Sequence, residues 1–194
     1  ADVDEVARLL QRLELRAGLA IGAIKLVPLI ESARAVVNVY DICASSDRIV
    51  GVALGGEDYA NDMEIERRED DRELAYPRSA IAIAARAAGI LALDTPFLAF
   101  RDANGLRENS RASRGYGFRG RFAIHPAQIE VINQAYSPSE AEVEHARRVI
   151  AAFETAAQQG RGSTSLDGKV VDVPVVKRAQ ALLDLAEATR GEAD

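Results

Sequence analysis

The chain has 194 residues, of which 48% are hydrophobic and 28% are charged, as is typical of a globular protein with a substantial core. A net charge of −6, an aromatic share of 5% and the absence of tryptophan argue against nucleic-acid binding and against binding to anionic membranes. No apolar run approaches the roughly 20 residues of a membrane span, and Cys43 has no second thiol to pair with, so we expect a cytoplasmic protein without disulfides.

Strand and helix patterns alternate along the chain. Apolar residues at helical spacing predict an amphipathic helix over residues 3–16. Apolar runs that predict buried strands cover residues 23–31, 49–58, 90–94 and 121–126. Helical patterns cover residues 34–43, 76–88, 103–116, 126–135 and 138–159, the last with Ser137 as the expected N-cap. This alternation predicts parallel β/α units.

The C-terminal part of the chain has a different character. Residues 160–169 are rich in Gly and Ser, which predicts a linker or a mobile loop, and a helical pattern follows over residues 175–188. We therefore divide the chain into a main domain, residues 1–159, and a C-terminal helical extension, residues 160–194.

Polar residues collect directly after each predicted strand. They are Glu31, Glu57 with Asp58, Asp94, and His125. The carboxyl ends of parallel strands carry the functional residues in a closed β/α barrel and in an open doubly wound sheet alike. Their position therefore predicts a site without separating the two folds.

Glu31 and Asp58 follow consecutive strands and are the candidate metal ligands. Two neighbouring carboxylates repel each other, and a hard cation such as magnesium or manganese removes that penalty. The alternative is that both acids are solvated or bonded to helix ends. Gly55 and Gly56 beside them would let a ligand approach the backbone closely, or would serve only a tight turn.

Four segments carry a family resemblance. They are Leu29–Arg34, Leu54–Tyr59, Phe122–Gln128 and Asp167–Val176, and they occur in this order. Together they resemble the citrate lyase beta subunit family, which includes malyl-CoA and citramalyl-CoA lyases and is related to metal-dependent hydroxy-acid aldolases. The resemblance runs from about residue 1 to residue 188.

The resemblance implies a (β/α)8 TIM-barrel fold with a C-terminal helical extension. Because the chain shows four strand candidates, we expect only the second half of the barrel plus that extension. The resemblance also implies that Glu31 and Asp58 hold Mg²⁺, or Mn²⁺, and that the backbone around Gly56 and Glu57 binds the carboxylate of a 2-oxo acid.

The resemblance implies that Asp172 is the acid/base. It also implies a homo-oligomer, a trimer or hexamer, in which the C-terminal extension reaches a neighbouring subunit and Asp172 completes that subunit's site. From its chemistry alone, Asp172 is better read as the cap of the following helix. Asp94 and His125 are candidates for binding the CoA part of the substrate. The alternatives are a turn cap for Asp94 and a structural role for His125.

Three arginines, Arg101, Arg119 and Arg121, are further candidates for CoA phosphates or are plain surface residues. The function that the resemblance implies is magnesium-dependent cleavage of a 3-hydroxyacyl-CoA to a 2-oxo acid and acetyl-CoA. Alternatives are an aldolase for hydroxy-acids without CoA, a thioesterase using the same site, and a non-catalytic truncated homologue or subunit.

Overall fold

The computed structural model describes residues 2–68 and 70–191, and within them one sheet has four parallel strands in the order β1-β2-β3-β4. The strands are β1 (Leu29–Ile30), β2 (Gly51–Leu54), β3 (Leu91–Asp94) and β4 (Gly120–Arg121). Each strand pairs with the next one along the chain, which confirms the expected α/β class. Residues 1, 69 and 192–194 of the expected domains lie outside the described residues.

The first and last strands are shorter than expected. Before β1, Pro28 accepts an N–H from Ala53 at 2.9 Å but has no N–H of its own to donate. After β4, the backbone bonds to a side chain instead of a strand, because Gln128 accepts the N–H of Ile124 at 2.9 Å and donates to the carbonyl of Phe97 at 2.8 Å. The first expected strand is thus reduced to a parallel bridge between Leu26 and Ile49 followed by β1, and the last expected strand ends at Arg121.

Helices connect the strands and follow the expected pattern except at residues 56–62, where a helix begins inside the stretch expected as the strand over residues 49–58. Their bounds are α1 (Asp2–Ala17), α2 (Ala33–Val37), α3 (Val39–Cys43), α4 (Gly56–Asp62), α5 (Ala75–Ala88), α6 (Ala103–Tyr116) and α7 (Ile129–Tyr136). The single helix expected over residues 34–43 is divided at Asn38, whose side-chain amide donates to the carbonyl of Arg34 at 2.7 Å. Short 3₁₀ turns precede α5 and α7.

The core lies between the sheet and the helices that cover it. Its fully buried members come from β1, β2 and the helices, with Phe118 before β4, and include Ile30, Val52, Leu54, Ile81, Leu106 and Phe118. Each such side chain contributes on the order of 2 kcal/mol by leaving water. Among the described residues, no helix is both long and apolar enough to cross a membrane.

Contacts divide the chain into two units, residues 1–136 and residues 137–194. The second unit contains α8 (Glu140–Gln158), a hairpin of β5 (Thr164–Leu166) and β6 (Lys169–Val171), and α9 (Val173–Gly191). Its core joins side chains of α8, β6 and α9, so α8 belongs with the C-terminal unit instead of the main domain that we expected to run to residue 159.

Two local details of this unit differ from expectation. The N-cap of α8 is Ser139 and not Ser137, because Glu142 lies three residues after Ser139 and completes a reciprocal capping box. The segment expected to be a linker holds the β5–β6 hairpin, whose turn residues Asp167 and Gly168 have φ of 50° and 76°. Two positive φ angles are the mark of a tight hairpin turn.

Candidate active site

Glu31 follows β1 and lies directly against the turn after β2. The parallel register places Ile30 beside Leu54, and the N–H of Gly55 donates to the carbonyl of Ile30 at 3.0 Å. A Cβ on Gly55 would overlap Cγ of Glu31 and lie 2.6 Å from its Oε1. Only glycine therefore fits at position 55 while Glu31 keeps this conformation.

Asp58 lies in the first turn of α4, on the side of the helix that faces the segment after β1. Residues three or four apart share a helix face, so Gly55, Asp58 and Asp62 form one stripe. Gly55 contacts Glu31 at the start of this stripe, and Asp62 accepts the N–H of Ala33 at 2.7 Å at its end. Asp58 lies between these two contacts. The structure therefore brings Glu31 and Asp58 to the same edge of the sheet.

Both carboxylates are available to a ligand. Glu31 is half-buried, Asp58 is exposed, and neither has a hydrogen bond or ion pair with any residue that the structure describes. Within residues 2–68 and 70–191, no cluster of three or more acidic, His or Cys side chains could hold a metal. Magnesium commonly takes one or two carboxylates and keeps several waters, so this pair of oxygen donors fits it.

The backbone after Gly55 is only partly free to bind a substrate carboxylate. The N–H of Gly56 already donates to the hydroxyl of Thr95 at 3.1 Å, and this bond is buried. The N–H groups of Glu57 and Asp58, in the first turn of α4, have no partner among the described residues. Of the two residues predicted for this role, Glu57 has a free backbone donor and Gly56 does not.

The side chain of Glu57 belongs to a network of ion pairs between carboxylates and arginines. Nε of Arg67 donates to Glu57 at 2.8 Å, and the two other arms of this guanidinium reach Asp71 at 2.9 Å and Glu73 at 2.8 Å. On its other oxygen, Asp71 accepts from Arg78 at 2.8 Å. Arg67 thereby ties the start of α4 to the segment that precedes α5.

Asp94, a predicted contact for CoA, lies at the centre of this network. Its side chain is fully buried, and its oxygens accept from Arg78 at 3.1 Å and from Arg121 at 3.3 Å. Oδ1 also accepts the N–H of Thr95 at 2.9 Å, which is the turn-capping alternative. The carboxylate has no surface on which a ligand could bind in this structure.

Arg121, a candidate contact for CoA phosphates, is likewise an interior residue. Its side chain is 1% exposed and also donates to the Thr95 carbonyl and to Ser110, at 3.1 Å and 3.0 Å. Burial lowers the pKa of its guanidinium, and the Asp94 carboxylate opposes that shift. It is a structural cation that holds β4 to the end of β3.

His125, the other predicted CoA contact, caps the turn after β4. Its Nδ1 accepts the N–H of Ala127 at 3.1 Å, and its exposed ring stacks on Phe100 with centroids 5.0 Å apart. Arg101 lies over the Phe100 ring at 5.4 Å. A surface depression of about 730 Å³ is lined by the same segment, residues 98–102. The structural alternative is thus observed, and cofactor contact stays a prediction.

Comparison with known proteins assigns the chain to a family. The family model described as HpcH/HpaI aldolase/citrate lyase matches residues 1–126. This chain belongs to that family. The resemblance drawn from four motifs is thereby confirmed, and a barrel-type α/β fold is consistent with the membership.

Two relatives align with nearly the whole of this chain in sequence. The citrate lyase subunit beta of Leuconostoc mesenteroides subsp. cremoris is 43% identical over 97% of this chain and 62% of its own length. A (3S)-malyl-CoA thioesterase of Cereibacter sphaeroides is 37% identical over the same shares, 97% and 62%. The chain thus spans less than two thirds of these relatives.

A solved structure of the family shows the same architecture with ligands. It is CitE of Mycobacterium tuberculosis in complex with magnesium, acetoacetate and coenzyme A, which is 38% identical to this chain. The two superpose with a TM-score of 0.75, and the match covers 84% of this chain and 61% of that one.

Asp172, the predicted acid/base, lies in the C-terminal unit between β6 and α9. Its Oδ1 accepts the N–H of Val175 at 3.2 Å, so it caps α9 as its chemistry alone suggested. The side chain is half-buried, and its second oxygen has no partner among the described residues. The cap leaves one oxygen free, and the acid/base role stays a prediction.

The sequence analysis does not identify two buried residues next to the site. Thr95 receives the N–H of Gly56, and Arg78 links Asp71 to Asp94. A signal for Arg78 existed, because it shares the spacing of Ile81, Ala82 and Ala85 on the core face of α5. An arginine at a core position of a small-residue helix indicates a buried carboxylate partner.

Proposed function

We propose that the protein is a magnesium-dependent carbon–carbon lyase that acts on a 3-hydroxyacyl-CoA. The observation that supports this most is the pair Glu31 and Asp58, two carboxylates at one edge of a parallel sheet that have no partner among the described residues. Members of the family that bind magnesium with coenzyme A, or act on CoA thioesters, make a CoA-linked substrate the best candidate.

Glu31 and Asp58 would hold the ion, with water and substrate oxygens completing its coordination. When bound, magnesium supplies Lewis-acid stabilisation of negative charge on the oxygens of the reacting hydroxyl and its neighbouring carboxylate. The free N–H groups of Glu57 and Asp58 would orient that carboxylate. Together, these groups would favour loss of the hydroxyl proton to solvent, so that the oxygen's electron pair forms the new carbonyl while the electrons of the carbon–carbon bond pass to the enolate.

Asp172 would handle the proton at carbon. Cleavage gives a 2-oxo acid and a thioester enolate, and a protonated Asp172 would deliver its proton to the enolate carbon to give acetyl-CoA. In the reverse direction the carboxylate removes that proton and starts a condensation. We infer that Asp172 acts in a neighbouring subunit of a homotrimer or hexamer. The cytoplasmic location stays a prediction from the sequence.

A thioesterase is the second candidate, because the Cereibacter sphaeroides relative of that name matches 97% of this chain. Hydrolysis and carbon–carbon cleavage release different products from one substrate. Lysis of malyl-CoA or citramalyl-CoA yields a 2-oxo acid with acetyl-CoA, whereas hydrolysis yields free CoA and a hydroxy-acid. An aldolase without CoA would cleave the free hydroxy-acid instead.

The experiment incubates the protein with each CoA thioester and magnesium and follows 2-oxo acid and free thiol by chromatography. We expect Mg²⁺-dependent release of 2-oxo acid, and its loss in Glu31→Gln and Asp58→Asn with an unchanged circular dichroism spectrum. Asp41→Asn, an exposed acid on α3, is the matched control. Magnesium-dependent turnover that survives in both site variants would exclude the assigned metal ligands, and thiol release without oxo acid would favour the thioesterase.

A further inference from the structure

One hydrogen bond joins the two segments that carry the proposed metal ligands. Oδ2 of Asp62 accepts the N–H of Ala33 at 2.7 Å, across 29 positions of the chain. Ala33 lies two residues after Glu31, and Asp62 lies one helical turn after Asp58. The bond therefore links the loop of one carboxylate to the helix of the other.

Helix α4 depends on such tertiary contacts for its position. It has seven residues, its N-cap is Gly55, and no side chain caps its start. A helix this short has little stability of its own. The Gly56–Thr95 bond anchors its first residue, and the Asp62–Ala33 bond anchors its last residue to the segment after β1.

The donor in this bond, the N–H of Ala33, has no other partner in the part of the chain that the structure describes. Ala33 is the first residue of α2, and the N–H groups of a helix's first turn lack partners within the helix. Ser32 caps α2 by accepting the N–H of Ala35 at 3.2 Å, which leaves the N–H of Ala33 for Asp62. The bond satisfies this donor and sets the distance between α4 and the Glu31 segment at the same time.

We propose that Asp62 is a positioning residue for the metal site, which fixes the separation of the Glu31 and Asp58 carboxylates through its bond to Ala33. The inference rests on the proposed function, since it concerns the ion that these two carboxylates would hold. Groups that orient metal ligands typically contribute ten- to a hundredfold to metal affinity.

Two substitutions remove the bond from opposite ends. Asp62→Ala removes the acceptor. Ala33→Pro removes the donor, and its ring Cδ displaces the Asp62 carboxylate from the place of the lost hydrogen bond. The helix itself tolerates this change, because proline is favoured at the first position of a helix and Ser32 before it already has the extended φ of −146° and ψ of 157° that a following proline requires. Asp62→Asn keeps an acceptor oxygen without the charge, and Asn61→Ala is the control on the same helix.

The measurement is the dissociation constant of Mn²⁺ alone, by calorimetry and by electron paramagnetic resonance, with circular dichroism as the check of folding. We expect Asp62→Ala and Ala33→Pro each to weaken Mn²⁺ binding about tenfold, and the double variant to be no weaker than either. Asp62→Asn and Asn61→Ala should bind like the parent.

Three results would overturn the proposal. The first is parent-like affinity in Asp62→Ala and Ala33→Pro while Glu31→Gln and Asp58→Asn bind weakly. This result would leave the proposed function intact and show that the Asp62–Ala33 bond does not position the metal ligands. Asp62→Asn as weak as Asp62→Ala would mean that the charge acts directly on the ion. Unchanged affinity in Glu31→Gln and Asp58→Asn would remove the metal site itself.

Discussion

Arg78 and Asp94 form an ion pair that is shut off from solvent, with Nη2 of Arg78 3.0 Å from Oδ2 of Asp94. Their side chains are 5% and 0% exposed. Arg121 shares the same carboxylate at 3.3 Å, so one anion serves two interior cations. These buried ion pairs thus join α5 and β4 to the carboxyl end of β3, next to the candidate site.

Removing the shared carboxylate should therefore destabilise the protein strongly. Asp94→Ala would leave Arg78 and Arg121 charged, buried and short of a partner, and breaking such a pair costs about 3–5 kcal/mol in the free energy of unfolding. Urea unfolding measures this loss. Arg148→Ala, which breaks the exposed pair with Asp167, should cost less than about 1 kcal/mol. Equal losses in the two variants would contradict the structural role of Asp94.

The surroundings of Glu14 on α1 predict how the free energy of unfolding depends on pH. Arg48 donates to its two oxygens at 2.7 Å and 2.6 Å, and the N–H groups of Gly22 and Ile24 donate at 2.9 Å. The hydrogen bonds from Arg48, opposed by burial and aided by the two backbone groups, lower the pKa of Glu14 from 4.5 to about 2.

A lowered pKa in the folded state means that the ionised Glu14 contributes stability above the unfolded pKa of 4.5. That contribution is lost as the pH falls through the folded pKa of about 2. Urea unfolding across this range should show the parent losing stability as the pH falls, and Glu14→Gln losing less because its amide does not titrate. Parallel pH dependence in both proteins would show that Glu14 is not responsible.

Local signals explain what could be predicted from the sequence. The sequence predicts helix α6 at residues 103–116, closed by Gly117, and it is found there. Gly117 ends it with a φ of 112°, and Asp102 caps its start by accepting the N–H of Gly105. The β5–β6 hairpin was missed although Asp167-Gly168 is a strong turn signal. The surrounding Gly and Ser residues instead predict a linker or a mobile loop.

Contacts between distant segments could not be predicted in the same way. The strand ends placed Glu31 and Asp58 at one edge, but the overlap of Glu31 with position 55 depends on the register between β1 and β2. Asp94 was assigned to a ligand because a carboxylate after a strand looks the same whether it faces solvent or two buried arginines. Only the folded packing of α5 and β4 around β3 decides between them.

Asp172 combines a structural bond with a proposed chemical role, and one substitution separates them. Asparagine is as good an N-cap as aspartate, so Asp172→Asn should leave thermal stability unchanged, whereas Asp172→Ala should lose about 1 kcal/mol. We expect Asp172→Asn to bind metal normally and to stop proton exchange at the methyl group of acetyl-CoA, followed by nuclear magnetic resonance in deuterated water. Exchange at the parent rate would show that Asp172 is not the acid/base.

Gly55 offers a steric test of the proposed metal site that changes none of the proposed ligand residues. Its φ of −97° suits any L-residue, so Gly55→Ala creates no backbone strain and acts only through the overlap of the new Cβ with Glu31. We expect the displaced Glu31 carboxylate to weaken Mn²⁺ binding about tenfold in calorimetry.

The control for Gly55→Ala is Gly115→Ala within α6, where a Cβ meets nothing within 4 Å. This control should bind Mn²⁺ like the parent and gain about 0.5–1 kcal/mol in stability, because alanine favours the helix more than glycine does. Parent-like Mn²⁺ affinity in Gly55→Ala would mean that the conformation of Glu31 against Gly55 is not the one that binds metal, since the added methyl group cannot coexist with it.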